Sequence, residues 1–562
     1  MRRGLLHWLD EADDRRGIRF AEAGETWDFW SHARLARLSR RAACGFVQSG
    51  VRGSDVLLLV GCDGPEFVAA FFGALLAGAI PAPVASPLAF QQAEPYRQHL
   101  QTIIGAVRPT LAIAQETAIE EVRKAAGSID DAEPSVAGKA RQTPRVLSFA
   151  ELVSATDEDG SLRARSLGEL ALVQFTSGSC SQVKGVGVTF AALEANLAMI
   201  RRWLCWRTED AFANWLPFYH DMGLIGGLLC SLFVGCDLWL MRPDQFVRQP
   251  LRYLRCFGAG EARLSVIANF GLDLLVRRVR PSVLDGLDFS NWRALVVGAE
   301  RIDPALLERY HALLAPHGFR REALLPAYGL AEATLAVSGV RPGTGWRTAR
   351  SGGAPADAAE GLAIVSCGPP LEGVRVSILG EDGAPRPEGA VGEIFLAGPS
   401  LATAYQGEDG PSFTTFTADG LRTGDAGFMI GGELFVLGRL GDSMKVRGRT
   451  IFGEHIEMAL AAAGLPVHRI AVILGSDRGE QTAVTLFEAV RPELITMAEA
   501  ILRLHVGDAR LVLLDVARGT ILRTSSGKPR RRAMWRAFAE GRIGSVVPVD
   551  RRGENATLER VK

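Results

Sequence analysis

Five short segments combine residue types and spacings that suit chemistry on phosphate groups. The first, Thr176-Ser-Gly-Ser-Cys-Ser-Gln-Val-Lys184, sets small hydroxyl residues and Gly178 ahead of a cation. Small side chains let backbone N–H groups and Oγ atoms close on phosphate oxygens, and Lys184 adds charge. Thr176, Ser177, Gly178, Ser179 and Lys184 are the candidates; a Ser/Gly turn after a strand has the same composition. Ala327-Tyr-Gly-Leu-Ala-Glu332 offers the Tyr328 ring for stacking on a planar base and the Glu332 carboxylate for a hard cation. A helix start with a core tyrosine would read the same way. Asp425, in Arg422-Thr-Gly-Asp425, can accept from two neighbouring sugar hydroxyls or serve as a turn residue beside Gly424. Lys528, in Thr524-Ser-Ser-Gly-Lys528, is suited to offset charge at a phosphoryl transition state. It also opens a basic run with Arg530, Arg531 and Arg532, which could be a solvated face or a surface for an acidic partner. In Trp215-Leu-Pro-Phe-Tyr-His220-Asp221, Asp221 reads as a helix N-cap and His220 as an imidazole that orients a carboxylate or simply packs in the core.

These segments need a scaffold, and the apolar periodicity supplies one. Residues 31–49 follow an amphipathic helix pattern, 56–60 a short buried strand, 67–77 a buried helix and 80–84 another strand. Ala171 to Thr176 is a strand running into the Ser/Gly loop, 193–204 a helix and 293–297 a strand. Alternating apolar strands and helices predict an α/β fold with a largely parallel sheet and helices on its faces. Residues 116–159, polar and Ala-rich, are expected on the surface, and 341–361 reads as an irregular insertion. From Val374 short strands follow, and a smaller unit starts after Gly438. The expected domains are therefore 1–438 and 439–562, with a polar tail from Gly544. No internal repeat and no G-x-x-x-x-G-K-[ST] loop occurs.

With 562 residues the chain exceeds one core. Its 63 basic and 63 acidic residues cancel, so there is no global field to attract nucleic acid, and partners must be met by local charge. The eight cysteines and nine histidines are scattered, which favours buried free thiols in a reducing cytoplasm over a metal cluster. The uncharged stretch 67–89 contains Pro81, Pro83 and Pro87, which argues for a buried helix and strand rather than a membrane span.

Together with Gly298-Ala-Glu300, Val365-Ser-Cys-Gly-Pro369 and Gly432-Glu-Leu-Phe-Val-Leu-Gly-Arg439-Leu-Gly-Asp442, these segments resemble the adenylate-forming superfamily, most closely its fatty acyl-AMP ligases and acyl-CoA synthetases. The likeness runs from about residue 15 to about residue 540. It implies a large N-terminal domain of mixed sheets with flanking helices and a small, mobile α+β C-terminal domain. It implies ATP-dependent conversion of a carboxylic acid, fatty by subfamily, to acyl-AMP with release of pyrophosphate. The acyl group would then pass to the phosphopantetheine thiol of an acyl carrier protein, in the setting of polyketide or lipid synthesis. A coenzyme A ligase is the first alternative, and a catalytically weak nucleotide- or acyl-binding relative the second. By resemblance, Thr176 to Lys184 would hold the pyrophosphate end of ATP, and Gly298, Ala299, Glu300, Ala327, Tyr328 and Gly329 the adenine. Glu332 would serve Mg²⁺, Asp425 the ribose, Arg439 the nucleotide and Lys528 the transition state. His220, Asn269 and Gly329 would meet the acyl substrate, and Gly441 would be the hinge. The chain departs from the family at Cys180 and Val183 of the phosphate loop, at Phe190 and Ala192 after it, and at Gly441, where Asp or Lys is usual. One lost hydroxyl at Cys180 removes about 1 kcal/mol of hydrogen bonding. The insertion at 341–361 falls where the ligases carry an element thought to disfavour coenzyme A.

Overall fold

The computed structural model describes residues 4–61, 63–86, 93–127, 143–154, 167–176, 183–350, 363–407, 414–446, 449–477, 479–523, 528–543 and 547–549. Two compact units divide the chain: the first holds most of it up to Val436, and the second begins at Leu437 and also takes in Gly424–Ala426.

The first unit is built on an eight-stranded sheet. Its strand order is Ala336–Gly339, Leu324–Gly329, Ala294–Gly298, Ala262–Ala268, Ala211–Asn214, Leu238–Leu240, Gly17–Ala21 and Trp27–Ser31. The six inner strands are mutually parallel and only the two edge strands run antiparallel. A parallel sheet covered on both faces needs strands that are apolar throughout, which Ala294-Leu-Val-Val-Gly298 supplies. A second parallel sheet orders Ile80–Val84, Val56–Val60, Leu111–Ala114 and Arg145–Leu147. The helix His32–Gln48 flanks this region. Ser31 Oγ accepts the Arg34 N–H at its start, and Leu35, Ala36, Ala42, Ala43 and Phe46 form its buried stripe. The helix Gly64–Leu76 is buried from Phe67 to Leu75, and no helix among the described residues is long and apolar enough to cross a membrane.

Three expectations need correction. The stretch 116–159 is not simply surface: the helix Ile119–Gly127 buries Ile119, Val122, Ala125 and Ala126, and the helix Phe149–Ser154 buries Leu152. Ala118, Ala125 and Ala126 are buried and belong to a packing face. The strand Leu170–Thr176 joins neither parallel sheet. It forms an antiparallel three-stranded sheet with Lys184–Thr189 and Ala404–Gln406. The tail beyond Gly544 contains a paired strand, Val547–Val549, which adds to Arg510–Val516.

The second unit packs a sheet ordered Ile470–Asp477, Glu480–Glu488, Arg510–Val516 and Val547–Val549 against the helices Gly453–Ala462, Pro492–Val506 and Arg531–Ala539. Four cysteines, Cys230, Cys236, Cys256 and Cys367, are buried free thiols whose pKa values burial pushes up to about 12 or beyond. Cys205 is exposed instead, because it follows the helix Phe190–Trp203 in a positive-φ turn.

Candidate active site

Because the inner strands are parallel, the loops that leave their carboxyl ends gather along one sheet edge, the usual ligand side of such sheets. The segment Trp215–His220 follows the strand ending at Asn214, and Asn269 follows the strand ending at Ala268. Ala299 and Glu300 follow the strand ending at Gly298, and Tyr328 and Gly329 end their own strand. Four segments separated by scores of residues thus become neighbours. Ala299 has φ 68°, a left-handed conformation that costs a non-glycine residue roughly 1–2 kcal/mol and fixes a sharp departure from the strand. Gly329 has a different reason. A Cβ there would lie 1.8 Å from the Leu335 carbonyl oxygen, so only glycine lets the chain fold back over itself.

Glu332 sits in that returning loop, within the single 3-10 turn Ala331–Ala333, and is only 5% exposed. Its backbone is pinned from several sides. Thr334, φ 69° and ψ −59°, makes a positive-φ γ-turn closed by the Leu335 N–H on the Ala333 carbonyl at 2.9 Å. Thr334 Oγ1 donates to the Ser400 carbonyl at 2.7 Å, and the Ala402 N–H donates to the Glu332 carbonyl at 2.9 Å. Asn196, fully buried, donates to the Ala336 carbonyl at 2.8 Å and accepts from its N–H at 3.1 Å. The Glu332 side chain accepts the Tyr405 hydroxyl proton at 2.7 Å, and the Lys184 ammonium lies 4.6 Å from the Tyr405 ring centroid. Lys184 is the cross-strand partner of Thr176. The structure therefore brings Thr176, Lys184 and Glu332 into one neighbourhood through Tyr405. Ser177, Gly178 and Ser179, with Cys180, lie outside the described residues.

His220 lies at the mouth of an eight-residue π-helix, Met222–Leu229, a rare element frequent at functional sites. Asp221 caps it, accepting the Met222 N–H at 2.7 Å, and His220 Nδ1 lies 2.7 Å from Asp221 Oδ1. That partner orients the ring. Gln174, buried on the phosphate-loop strand, donates to the Tyr219 carbonyl at 2.6 Å and ties the two segments together. Gly223 is needed for the tight approach, since a Cβ would meet the Pro217 carbonyl at 2.4 Å. Asn269 opens the helix Asn269–Arg278 and donates through Nδ2 to the Arg301 carbonyl, which ties it to the Glu300 segment. Next to it Phe270 is 45% exposed, and Trp215 stacks on Phe246 at 3.9 Å. The exposed apolar ring of Phe270 beside Asn269 suits an acyl chain.

In the second unit Asp425 and Arg439 pair, Nε to Oδ1 3.3 Å. Gly441 lies in the single 3-10 turn Leu440–Asp442. Lys528 precedes Pro529, which bridges to Arg523, and the Arg530 N–H donates to the Leu522 carbonyl at 2.7 Å; residues 524–527 lie outside the described residues. The arginines after Lys528 do not form a solvated patch. Arg531 is buried, with Nη1 on Glu454 at 2.5 Å, Nη2 on Glu457 at 2.7 Å and Nε on the Val472 carbonyl at 3.1 Å. Burial opposes its charge, but Glu454, Glu457 and Asp442 outweigh that and hold its pKa above the arginine value. Arg532 Nε reaches the buried Asp442 at 3.5 Å; burial, helped by Glu454, raises the Asp442 carboxyl against the pull of the arginines. The reading of Arg531 and Arg532 as a surface for an acidic partner is therefore withdrawn. Sequence reasoning missed Tyr405, Gln174 and Asn196, whose contacts join segments far apart in the chain.

The chain belongs to the AMP-binding enzyme family, whose pattern it matches over residues 8–406. It is 30% identical over 552 residues to the medium-chain-fatty-acid–[acyl-carrier-protein] ligase JamA of Moorena producens, covering 90% of this chain and 89% of that protein. It is 31% identical over 525 residues to the long-chain-fatty-acid–AMP ligase FadD26 of Mycobacterium marinum, covering 86% and 87%. A relative from Caulobacter vibrioides named as an acyl-CoA synthetase stands beside these, 31% identical over 526 residues. A solved structure from work on fatty acyl-adenylate ligases of E. coli and L. pneumophila superposes with a TM-score of 0.85 at 27% identity, over 96% of this chain and 98% of that one.

Proposed function

We propose that the protein activates a fatty acid with ATP as acyl-AMP and hands the acyl group to the thiol of an acyl carrier protein. The observation that carries this is the meeting of Lys184, Tyr405 and Glu332 in the same unit whose sheet edge bears Tyr328, His220 and Asn269. Tyr328 stacks on the adenine, Lys184 and the phosphate loop hold the β- and γ-phosphates, and Asp425 takes the ribose hydroxyls. His220, its ring set by Asp221, orients the substrate carboxylate, and the chain lies along the apolar surface beside Asn269. A carboxylate oxygen attacks the α-phosphorus, the bond to the bridging oxygen breaks and pyrophosphate leaves. In the second step the carrier thiol attacks the acyl carbonyl, AMP leaves and a thioester forms. Lys528 offsets the charge that develops on the transferring phosphoryl group. The Glu332 carboxylate is the donor type that Mg²⁺ takes, with waters and substrate phosphates as its other ligands. When bound there, Mg²⁺ supplies charge neutralisation to the phosphates. Residues 1–438 and 439–562 act as the large and small domains, with Gly441 as the hinge.

The test is ATP–pyrophosphate exchange across a panel of fatty and aryl acids. A fatty acid should support exchange, and Lys528→Ala should lower it by about 10²–10³-fold. No exchange with any acid sinks the reading in favour of a binding protein. Mass spectrometry then asks whether carrier protein or coenzyme A receives the acyl group. Coenzyme A as the better acceptor, unchanged by deleting 341–361, would establish the coenzyme A ligase instead.

A further inference from the structure

The three-stranded sheet puts three side chains on one face. Thr176 is directly opposite Lys184, and Tyr405 is opposite Val186, two residues further along the same strand. Directly paired residues share a face, and positions two apart on a strand do too. Lys184 and Tyr405 are therefore diagonal neighbours, within reach of a long side chain, and the ammonium sits 4.6 Å above the ring. The ring is held edge-on by Phe416 at 5.4 Å. Its hydroxyl then reaches a carboxylate 73 residues away in sequence, Oη to Glu332 Oε1 2.7 Å. Glu332 is buried, and its backbone is fixed by the γ-turn and by Ala402. A donor on a carboxylate favours the ionised form and fixes which oxygen faces where, as second partners of metal-binding groups do.

We propose that Tyr405 is a positioning residue for the metal-bound nucleotide: its hydroxyl sets the Glu332 carboxylate for the divalent cation while its ring seats the Lys184 ammonium beside the phosphates. The inference rests on the reading of Glu332 and Lys184 given under Proposed function. It assigns the two halves of the phenol separate tasks, and two substitutions separate them. Tyr405→Phe keeps the ring and removes the hydroxyl; Tyr405→Leu removes both.

The experiment measures Mn²⁺ binding to the enzyme–ATP complex by electron paramagnetic resonance and ATP binding in EDTA by calorimetry, with melting temperatures as the check on folding. In Tyr405→Phe, Mn²⁺ binding should weaken about 10–100-fold, while ATP affinity in EDTA and KM for the acid stay at the wild-type values. Tyr405→Leu should show the same loss of metal and, in addition, weaker ATP binding in EDTA. Combining Tyr405→Phe with Glu332→Gln should cost no more metal affinity than Glu332→Gln alone. Either hydroxyl-free variant that folds carries the test, and wild-type Mn²⁺ affinity in it overturns the inference. A wild-type protein that binds no metal–nucleotide and exchanges no pyrophosphate overturns the functional reading itself and the inference with it. A wild-type protein that does both, with unaltered variants, overturns the inference alone.

Discussion

At the scale of single residues the site depends on positions that shape its backbone. Gly329 is one: the Leu335 carbonyl occupies the space a side chain would need. Gly329→Ala must push back the loop that bears Glu332, an overpacking cost of about 3 kcal/mol. The expected outcome is a clearly lower melting temperature and a raised KM for ATP; a variant that melts with the wild type would show that the loop gives way freely. Ala299, at φ 68°, should tolerate glycine but not a β-branched residue, which rarely adopts that conformation. Ala299→Val is expected to lose more than about 1 kcal/mol in urea denaturation while Ala299→Gly stays near the wild type. Glu332 and Lys184 stand out in the sequence because their types and local spacing suit phosphate and metal chemistry. Tyr405 does not, because nothing within its own strand marks it; its meaning lies in a contact made across 73 residues.

At the scale of elements, the turns and helices that hold the site are fixed by buried polar groups. Asn196, on the helix Phe190–Trp203, satisfies both backbone groups of Ala336. Asn196→Ala leaves a buried donor and a buried acceptor unpaired, each worth about 1–3 kcal/mol. Urea denaturation of the variant should show a loss of at least about 2 kcal/mol. In the second unit Arg531 anchors the helix Arg531–Ala539, which follows Lys528, to Glu454 and Glu457 of the helix Gly453–Ala462. Arg531→Ala strands two carboxylates against a low-dielectric interior, a loss of about 3–5 kcal/mol. Calorimetry should show it in the second unit's transition. Element positions were largely legible: the strands 56–60 and 80–84 lie where apolar runs between turn signals put them. Pairing was not. The strand Leu170–Thr176 looks like a buried parallel strand, and only its partner Lys184–Thr189, itself paired with Ala404–Gln406, makes its sheet antiparallel.

At the scale of the whole molecule, the zero net charge hides one buried group that makes folding pH-dependent. His32 packs against Trp8 near Asp13 and Asp237, and burial lowers its pKa from 6.5 to about 4 despite both carboxylates. The unfolded chain binds a proton that the folded one refuses, so stability is lost as pH falls from 6.5 towards about 4. The loss is limited to roughly 3 kcal/mol. The first unit's melting temperature should fall over that window in the wild type, and the His32→Leu variant should show a shallower fall. The α/β class was readable from alternating apolar runs, but which strand ends meet was not. That depends on a strand order, 324–329 beside 294–298 beside 262–268 beside 211–214, which follows no local rule. The same order bears on how the protein is made. Lys184 and Glu332 lie well upstream, and the tyrosine joining them, Tyr405, is made only later. A ribosome adding about 5–20 residues each second spends roughly 10–50 s between Thr176 and Tyr405. For that interval the nascent chain carries Lys184–Thr189 without its second neighbour strand, Ala404–Gln406. An apolar edge left open that long is a target for chaperones or for aggregation, so yield during expression should respond to slower translation before Tyr405 more than to slower translation after it.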